Sequence, residues 1–329
     1  MKLEEIGFYT LSEQRAKNAS ATSQMKRCEM IIIEACNFKC PYCRGLADEV
    51  YGERVMKQLS LSEVCNNIDM WCENEPLENI RFSGGEPTLH RNIVEIVQYA
   101  KSKGINRIAI STNGSNKREL YEELLNAGVN DFSVSLDACC AEDGDKMAGG
   151  IKGAWDKVVS NIKFLSTKSY VTVGVVLTPQ NVQRMVDTIE FADTLGVSDI
   201  RIISASQWND PLPDLLKVKT EVREKYPILN YRIGNLASGK TMRGITESNS
   251  HRCGLMHDDS VIAGDYHFPC IIYMREQGSP IGKVSPNMRQ ERVEWARTHD
   301  TFEDNICKNN CLDVCVSYND RYEYYHNNK

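Results

Sequence analysis

The sequence predicts an α/β protein built around a parallel β-sheet, and three observations lead to this fold class. Six apolar segments of strand length alternate with five amphipathic segments of helix length. Gly104, Gly128 and Gly196 each follow a helix segment, where a left-handed cap is expected. Strict alternation implies parallel strands joined by right-handed crossovers. An open six-stranded (βα) barrel and a doubly wound sheet both satisfy this pattern.

Each element is supported by its own local pattern. The strand segments are short, largely apolar runs, and they cover 28–34, 79–82, 107–111, 132–136, 171–177 and 200–203. The helix segments carry apolar residues at spacings of three and four, and they cover 62–73, 92–103, 117–127, 154–166 and 182–195. After residue 204 the alternation ends in a turn-rich stretch. We expect four regions: an N-terminal extension lying over the body of the protein at 1–25, the alternating core at 26–207, a connector at 208–250 and a cysteine-bearing unit at 251–329.

Composition narrows the class of protein. The chain has 329 residues, of which 41% are apolar and 26% are charged, as in ordinary globular proteins. A net charge of −6 gives no general reason to expect binding to nucleic acid or to an anionic membrane, although a local basic groove stays open. Apolar runs such as 171–177 are too short to span a bilayer, and the first residues lack the apolar region of a secretory signal. We expect a cytoplasmic protein.

Thirteen cysteines indicate metal binding, because disulfide scaffolds are typical of short secreted chains. Cys36, Cys40 and Cys43 lie within eight residues, just after the apolar run at 30–33. Three soft ligands in one loop suit an iron–sulfur cube, which normally takes four thiolates. The missing fourth ligand would leave one iron open to a small molecule. A zinc loop completed by a distant ligand and ordinary buried thiols are the alternatives.

Polar motifs follow the next three strands, at the edge where ligands bind in open α/β sheets. The sequence Ser-Gly-Gly-Glu-Pro at 83–87 lets the backbone approach a ligand and adds a carboxylate. Ser-Thr-Asn-Gly at 111–114 and Ser-Leu-Asp at 135–137 supply side chains that can bind hydroxyl or carboxylate groups. Taken singly, each motif is a turn or a helix cap as readily as a site. The ends of the two outer strands, at 178–181 and 204–207, are less specific.

The spacing Cys-x3-Cys-x2-Cys, followed in order by GGEP, STNG and SLD, resembles the radical SAM superfamily over residues 28–207. The resemblance implies a partial (βα)6 TIM-like barrel. It also implies a [4Fe–4S] cluster on Cys36, Cys40 and Cys43, whose open iron is chelated by the amino and carboxylate groups of S-adenosylmethionine (SAM). The residues that it implies for SAM binding are Gly84, Gly85, Glu86, Ser111, Asn113, Ser135 and Asp137.

Five more cysteines follow in the C-terminal unit. The stretch 261–268 predicts two short strands around a Gly-Asp turn, which would bring Cys253 and Cys270 together. A continuous helix over 307–315 would separate its first and last cysteines by about 12 Å, so either the helix breaks near 309–310 or one cysteine is not a ligand. The unit is similar to the SPASM and Twitch auxiliary-cluster regions, which implies one further [4Fe–4S] cluster; a zinc site is the alternative. Its expected ligands are four of these five: Cys253, Cys270, Cys307, Cys311 and Cys315.

The resemblance implies reductive cleavage of SAM to a 5′-deoxyadenosyl radical, which removes a hydrogen atom from a substrate. The expected partners are a one-electron reductant of the flavodoxin or ferredoxin type and a peptide or small-molecule substrate, with no membrane and with nucleic acid not expected. An auxiliary cluster could accept the electron left on the substrate. Oxidation or cross-linking of a peptide and oxidation of a small alcohol or sugar are therefore the leading reactions.

Two other functions stay open. A radical epimerase would need a thiol to return a hydrogen atom, and Cys139 and Cys140 are the candidates, although the same residues suit buried structural thiols. An electron carrier or a zinc-dependent binding module would keep the fold without cleaving SAM. The charges at 291–297 are expected on a solvated helix face. Surface roles, or roles behind the thiol ligands, are expected for His251, His257, His267 and His299.

Overall fold

The computed structural model describes residues 9–43, 58–205 and 212–327. The strands of these residues are β1 Arg27–Ile33, β2 Asn79–Gly84, β3 Arg107–Thr112, β4 Asp131–Ser135, β5 Tyr170–Leu177, β6 Asp199–Ser204, β7 Asp259–Ala263, β8 Tyr266–Phe268 and β9 Gly282–Lys283. The helices are α1 Glu13–Asn18, α2 Leu61–Trp71, α3 Ile93–Ser102, α4 Arg118–Ala127, α5 Ala141–Met147, α6 Ala154–Ser166, α7 Met185–Asp193, α8 Thr220–Lys225, α9 Pro227–Ala237, α10 Ile271–Arg275, α11 Met288–Thr298, α12 Asn305–Asn310 and α13 Asp313–Asn327.

All nine strands belong to one sheet, in the order β6-β5-β4-β3-β2-β1-β7-β8-β9. From β1 to β6 each strand pairs in parallel with its predecessor in the chain. Because the order never reverses, right-handed crossovers place the helices on one face, whereas a doubly wound sheet has helices on both. The structure therefore confirms the open (βα)6 barrel, and in the described residues β6 and β9 are the unpaired edges of the sheet.

Local sequence explains where the helices begin and end. At the start of α2, Ser60 Oγ accepts a hydrogen bond from the Glu63 amide at 3.3 Å, while the Glu63 carboxylate accepts from the Ser60 amide at 2.6 Å. Gly128 ends α4 with a φ of +124°, a conformation that glycine adopts without strain. The predicted helix from residue 182 instead opens with a short 3₁₀ turn, and α7 starts at Met185.

Side chains alternate between the two faces of the sheet. Met30, Phe82 and Val173 belong to the main apolar core, which the helices cover. The intervening positions of the same strands carry polar groups, among them Glu29 and Arg81. The concave face of the half-barrel is therefore polar, whereas the face under the helices is apolar.

The C-terminal unit continues the same sheet. β7 pairs in parallel with β1, and the predicted hairpin is present as β7 and β8 around Gly264, which has a φ of +56°. On the other side, Arg243 donates to the Ser204 carbonyl of β6 at 2.9 Å, and the Gly244 amide donates to the Cys311 carbonyl at 2.8 Å. The unit thus pairs directly with β1 and is linked to the end of β6 through the connector residues Arg243 and Gly244. The predicted domain boundaries near residues 207 and 251 stay predictions, because strands from both sides of residue 251 belong to one sheet.

The segments outside the alternating core pack against it. Arg15 of α1 donates to both carboxylate oxygens of Asp258 at 2.8 and 2.9 Å, in keeping with an extension that lies over the body. The connector holds α8 and α9, and α9 packs against β6. The outer strand end at 204–207 lies partly outside the described residues. Among those that are described, no helix combines the length and apolar character that crossing a bilayer requires.

One surface prediction was wrong in part. On α11, Glu294 and Arg297 are exposed as expected, yet Arg292 is fully buried and donates to the Phe268 carbonyl at 2.7 Å. Its neighbour Glu291 accepts from the equally buried His267 at 2.7 Å. The charge pattern did not distinguish a solvated helix face from one that supplies donors to the free carbonyl groups of the C-terminal unit.

Candidate active site

The cysteine loop follows β1 at the edge of the sheet predicted to bind ligands. Cys36 and Cys40 are partly buried and Cys43 is exposed. The Phe38 amide and the Asn113 side-chain amide donate to Cys36 Sγ at 3.4 and 3.8 Å. Burial raises the pKa of Cys36, and it raises the pKa of Cys40 to about 12. These thiols would need a metal to hold them as thiolates, which is the donor chemistry that an iron–sulfur cluster supplies and requires.

Gly84 and Gly85 are required by the close approach of the cysteine loop. A Cβ atom at Gly84 would lie 1.9 Å from the Ile33 carbonyl oxygen, and one at Gly85 would lie 2.4 Å from that of Ala35. The Gly85 amide also donates to the Ile33 carbonyl at 2.9 Å. The two glycines therefore seat the start of the cysteine loop directly on the end of β2.

Glu86 is fully buried, and protein donors occupy both of its carboxylate oxygens. Oε1 accepts from the Thr88 amide and hydroxyl at 3.0 and 2.6 Å and from the Thr112 hydroxyl at 2.7 Å. Oε2 accepts from the Asn113 amide at 2.6 Å. The carboxylate thus ties the end of β3 to the end of β2 and holds Asn113 beside Cys36. Any contact between this motif and SAM would go through its backbone rather than through the carboxylate.

Asp137 links the cysteine loop to β4 and β5. Its carboxylate accepts from the Val176 amide at 2.7 Å and from the Tyr42 hydroxyl. Burial raises the pKa of Asp137 to about 6, while these two hydrogen bonds oppose the rise. Tyr42 lies between Cys40 and Cys43, so its hydrogen bond to Asp137 holds the middle of the loop. Gly84 and Gly85 hold the start of the loop.

The other predicted SAM residues differ in accessibility. Asn113 donates to the Asn37 side chain at 2.8 Å, and Ser111 accepts from Arg81 at 2.9 Å. Ser135 is exposed at the carboxyl end of β4. The structure thus brings the GGEP, STNG and SLD motifs and the cysteine loop to one edge of the sheet. Within these motifs Gly85 and Ser135 are exposed, and Gly84, Ser111 and Asn113 are partly exposed, whereas Glu86 and Asp137 are buried.

The five late cysteines also lie together. A negative charge on Cys253 or on Cys315 would raise the pKa of Cys270, and charges on Cys270 and Cys253 would raise that of Cys307. Burial is the largest cause of the raised pKa of Cys253, Cys270 and Cys307. A hydrogen bond between the Cys311 and Cys315 thiols raises the pKa of Cys311 well above its usual range, with burial as the next cause.

The local backbone explains how these thiols meet. The helix breaks, which is one of the two alternatives that the cysteine spacing left open: α12 ends at Asn310, Cys311 caps it and α13 starts at Asp313. The break brings Cys311 and Cys315 near each other, and the choice of four ligands from the five cysteines stays a prediction.

A histidine and a carboxylate adjoin this thiol group. His299, Asp304 and Cys307 bring one ligand atom each to within 4.8 Å of one another. Asp304 already caps α12 through the Ile306 amide and accepts from Tyr273 at 2.9 Å. Because Asp304 is already engaged in these bonds, we expect it to support the thiols rather than to bind a metal itself. His299 beside it is in keeping with the role behind the thiols predicted from the sequence.

Cys139 and Cys140 lie at the start of α5. The Arg184 guanidinium donates to Cys140 Sγ at 3.3 Å and to Asp143 at 2.6 Å, and the Arg184 side chain is about half exposed. Burial raises the pKa of Cys139. The Cys140 thiol is therefore held on the helical rim by groups of α5 and the turn before α7.

Sequence patterns missed the charges inside the half-barrel. Arg81 donates to Ser111 and, at 3.3 Å, to Asp131, and Arg201 of β6 donates to Ser133 at 3.3 Å. The signal that could have revealed these charges is the alternation of side chains between the two faces of a strand. Ile200 and Ile202 belong to the apolar core, so Arg201 between them has to face the concave side.

Comparison with known proteins places this geometry in context. Residues 30–192 match the family model described as the Radical SAM superfamily. A "Probable GTP 3′,8-cyclase" from Saccharolobus islandicus is 28% identical over 214 residues, which cover 59% of this chain and 67% of that protein. A second protein of that name, from Metallosphaera sedula, is 25% identical over 212 residues, which cover 59% of this chain and 65% of its own length.

Solved structures show the same fold over most of the chain. SuiB from Streptococcus suis, solved with the precursor peptide SuiA, superposes with a TM-score of 0.61 at 13% identity and covers 94% of this chain and 74% of SuiB. The structure of anSMEcpe with bound AdoMet superposes with a TM-score of 0.56 at 16% identity and covers 92% of this chain and 93% of that one.

Proposed function

Because the chain belongs to the radical SAM superfamily, we propose that it cleaves SAM reductively and removes a hydrogen atom from a carbon of its substrate. The net reaction proposed is oxidation or cross-linking of a peptide, or oxidation of a small alcohol or sugar. The superfamily uses a [4Fe–4S] cluster and SAM, so an external one-electron reductant completes the system.

The observation that carries the proposal is the bracing of the cysteine loop by the other motifs. Gly84 and Gly85 leave no room for side chains beneath the loop, Glu86 positions Asn113 beside Cys36, and Asp137 holds Tyr42. Three separate sequence motifs thus determine the position of one three-thiol loop. An ordinary structural turn needs no such convergence, whereas a reaction centre depends on fixed geometry.

The chain's own residues have distinct tasks in this proposal. When bound, the cluster supplies the electron that cleaves SAM. Cys36, Cys40 and Cys43 hold it, and the backbone at 84–86 with the Asn113 side chain forms the wall beside it. The apolar core under the sheet keeps the strands in register. The polar concave face then receives the substrate and limits access of water to the reacting groups.

The second thiol group favours an oxidation over an epimerisation. The five late cysteines are partly buried, and the charges of neighbouring thiols contribute to the raised pKa of Cys270 and Cys307. Such a group of thiols suits a second iron–sulfur cluster able to take the electron left on the substrate. Cys140, the candidate hydrogen-atom donor, is instead held by Arg184 and Asp143. The peptide alternative also has support in the fold shared with SuiB, whose structure holds a precursor peptide.

A second candidate is a reaction on a nucleotide. It rests on the two relatives named as probable GTP 3′,8-cyclases, which are 25–28% identical over 59% of this chain. GTP therefore belongs in the first substrate panel, beside peptides, sugars and alcohols. Transfer of deuterium from a labelled substrate into 5′-deoxyadenosine identifies both the substrate and the carbon attacked.

Formation of 5′-deoxyadenosine after anaerobic reconstitution with iron and sulfide tests the proposal. We expect the reduced protein with SAM to form it, and Cys40→Ala to abolish its formation. Cys65→Ala is the matched control, since Cys65 lies on α2 outside both thiol groups and should leave the yield unchanged. If the wild-type protein formed no 5′-deoxyadenosine with any member of the panel, the proposal would be rejected in favour of an electron carrier or zinc-dependent module.

A further inference from the structure

The concave face of the half-barrel is partly open to solvent in the described part of the chain. Several inward-facing residues of β2 to β6 keep partial exposure, whereas their outward-facing neighbours are buried. The same edge holds the cysteine loop and its bracing motifs. The inward-facing residues that keep exposure are Arg81, Ser111, Ser135, Val176, Arg201 and Ile203.

The carboxylates along this face are already paired with other cations. Glu29 accepts from Arg27 at 3.0 Å, and Arg27 also donates to Asp259 at 2.6 Å. Asp131 accepts from Arg107 at 2.9 Å and from Arg81 at 3.3 Å. Among the described residues, these contacts join the acidic groups of the face to its other arginines.

Arg201 is the arginine of this face that forms no ion pair with a carboxylate among the described residues. In the described part of the chain its side chain makes one hydrogen bond, to Ser133 Oγ at 3.3 Å, and its Nε is buried without a partner. Gly174 pairs with it on β5, and even a Cβ atom there would stay 3.6 Å from Arg201 Nη2. A partly exposed guanidinium whose Nε is buried without a partner, and which has no carboxylate against it in the described residues, is left with donors that a ligand could satisfy.

The surroundings of Arg201 support this reading. Burial, with the neighbouring charges of Arg81 and Arg232, lowers the pKa of Arg201 to about 10, while the more weakly acting charges of Glu29 and Asp131 oppose the fall. Arg201 therefore stays protonated at neutral pH. Two arginines near each other on one face repel each other unless an anion lies between them. A planar guanidinium also matches the two oxygens of a carboxylate or phosphate group.

We infer that Arg201 binds an oxyanion of the substrate, a carboxylate or a phosphate, on the concave face of the half-barrel. The inference rests on the proposed function and narrows its substrate class to negatively charged molecules. Arg201 lies three residues before the end of β6, below the edge that carries the cysteine loop. An oxyanion held there would orient the rest of the substrate toward that edge, where hydrogen abstraction is proposed.

Anion binding to the reconstituted protein tests the inference without using turnover. Inorganic phosphate and acetate, titrated separately by calorimetry in the presence of SAM, distinguish the two oxyanions. We expect saturable binding of at least one, weakened about tenfold or more in Arg201→Gln and less in Arg201→Lys. The matched control is Arg297→Gln on the exposed face of α11, which should bind as the wild type does.

Stability provides a second readout. Because Arg201 lacks a carboxylate partner, Arg201→Gln should keep the melting temperature or raise it by about 2 °C. A structural cation would behave in the opposite way, and a clear fall in melting temperature would overturn the inference. It would also be overturned if neither anion bound the wild type saturably, if Arg201→Gln bound both equally well, or if the anions competed with SAM. Failure of SAM cleavage with anion binding intact would reject the proposed function alone.

Discussion

Replacing Glu86 by alanine is the sharpest test of how the site is braced. The substitution strands the amides of Thr88 and Asn113, whereas the hydroxyls of Thr88 and Thr112 can turn to other acceptors. A buried donor left without an acceptor costs about 1–3 kcal/mol of unfolding free energy. Because the Asn113 amide lies near the surface and costs less than a fully buried one, we expect the two amides together to lower the free energy of unfolding by about 3 kcal/mol. With a typical unfolding entropy per residue, a chain of this length loses about 1.5 °C per kcal/mol, or about 5 °C in all.

Differential scanning calorimetry of the anaerobic protein measures this shift. Glu86→Gln should lower the free energy of unfolding by roughly half as much. The glutamine oxygen can accept from one of the two backbone amides, but its NH2 group would face the other. Glu122→Ala on the exposed face of α4 is the matched control and should stay within about 1 °C. A Glu86→Ala protein that melts within 1 °C of the wild type would refute the bracing role and return Glu86 to the list of side chains free to contact SAM.

Three further predictions follow from the same structure. Gly85→Ala should displace the cysteine loop and lower 5′-deoxyadenosine formation by about tenfold or more, whereas Gly234→Ala in α9, whose Cβ meets nothing, should stabilise the protein by about 0.5–1 kcal/mol. Cys253→Ala with Cys270→Ala should halve the iron bound, from about eight to about four atoms, by colorimetric assay; unchanged iron would contradict the second cluster. Burial and the charges of two arginines lower the pKa of His257 to about 4, so the unfolded chain takes up its proton first and stability falls as pH drops from about 6.5 toward 4. Denaturant titrations at pH 7 and pH 5 should show His257→Gln losing up to about 2 kcal/mol less than the wild type, and equal losses would contradict this.

The sequence predicted the alternating half of the fold because each of its elements is encoded locally. Strand β5 is an apolar run, and Gly128 marks the end of α4 with the left-handed conformation expected of it. The break near Asn310 was one of the two alternatives that the cysteine spacing left open, since a continuous helix would have spread the late cysteines apart. Pairing of β7 with β1 was not predictable, because it joins residues more than 200 positions apart and no local signal specifies it.

Side-chain roles were harder to predict than motif positions. Glu86 was expected beside the ligand, but the structure shows a carboxylate committed to four internal donors, which only the meeting of two loops creates. Arg292 looked like part of a solvated face and is instead buried among carbonyl groups. Arg201 could have been found from the alternation of side chains along β6, but its lack of a carboxylate partner depends on which strands surround it.

The central claim is that Cys36, Cys40 and Cys43 hold a cluster whose open iron takes SAM. Electron–nuclear double resonance on the reduced protein, with SAM labelled by ¹⁷O in its carboxylate and ¹⁵N in its amino group, tests it directly. A protein that also carries Cys253→Ala and Cys270→Ala removes the signal of the second cluster. We predict couplings from both labels to the remaining cluster, and their loss in Cys40→Ala. A reduced cluster that shows coupling to neither label would contradict the account.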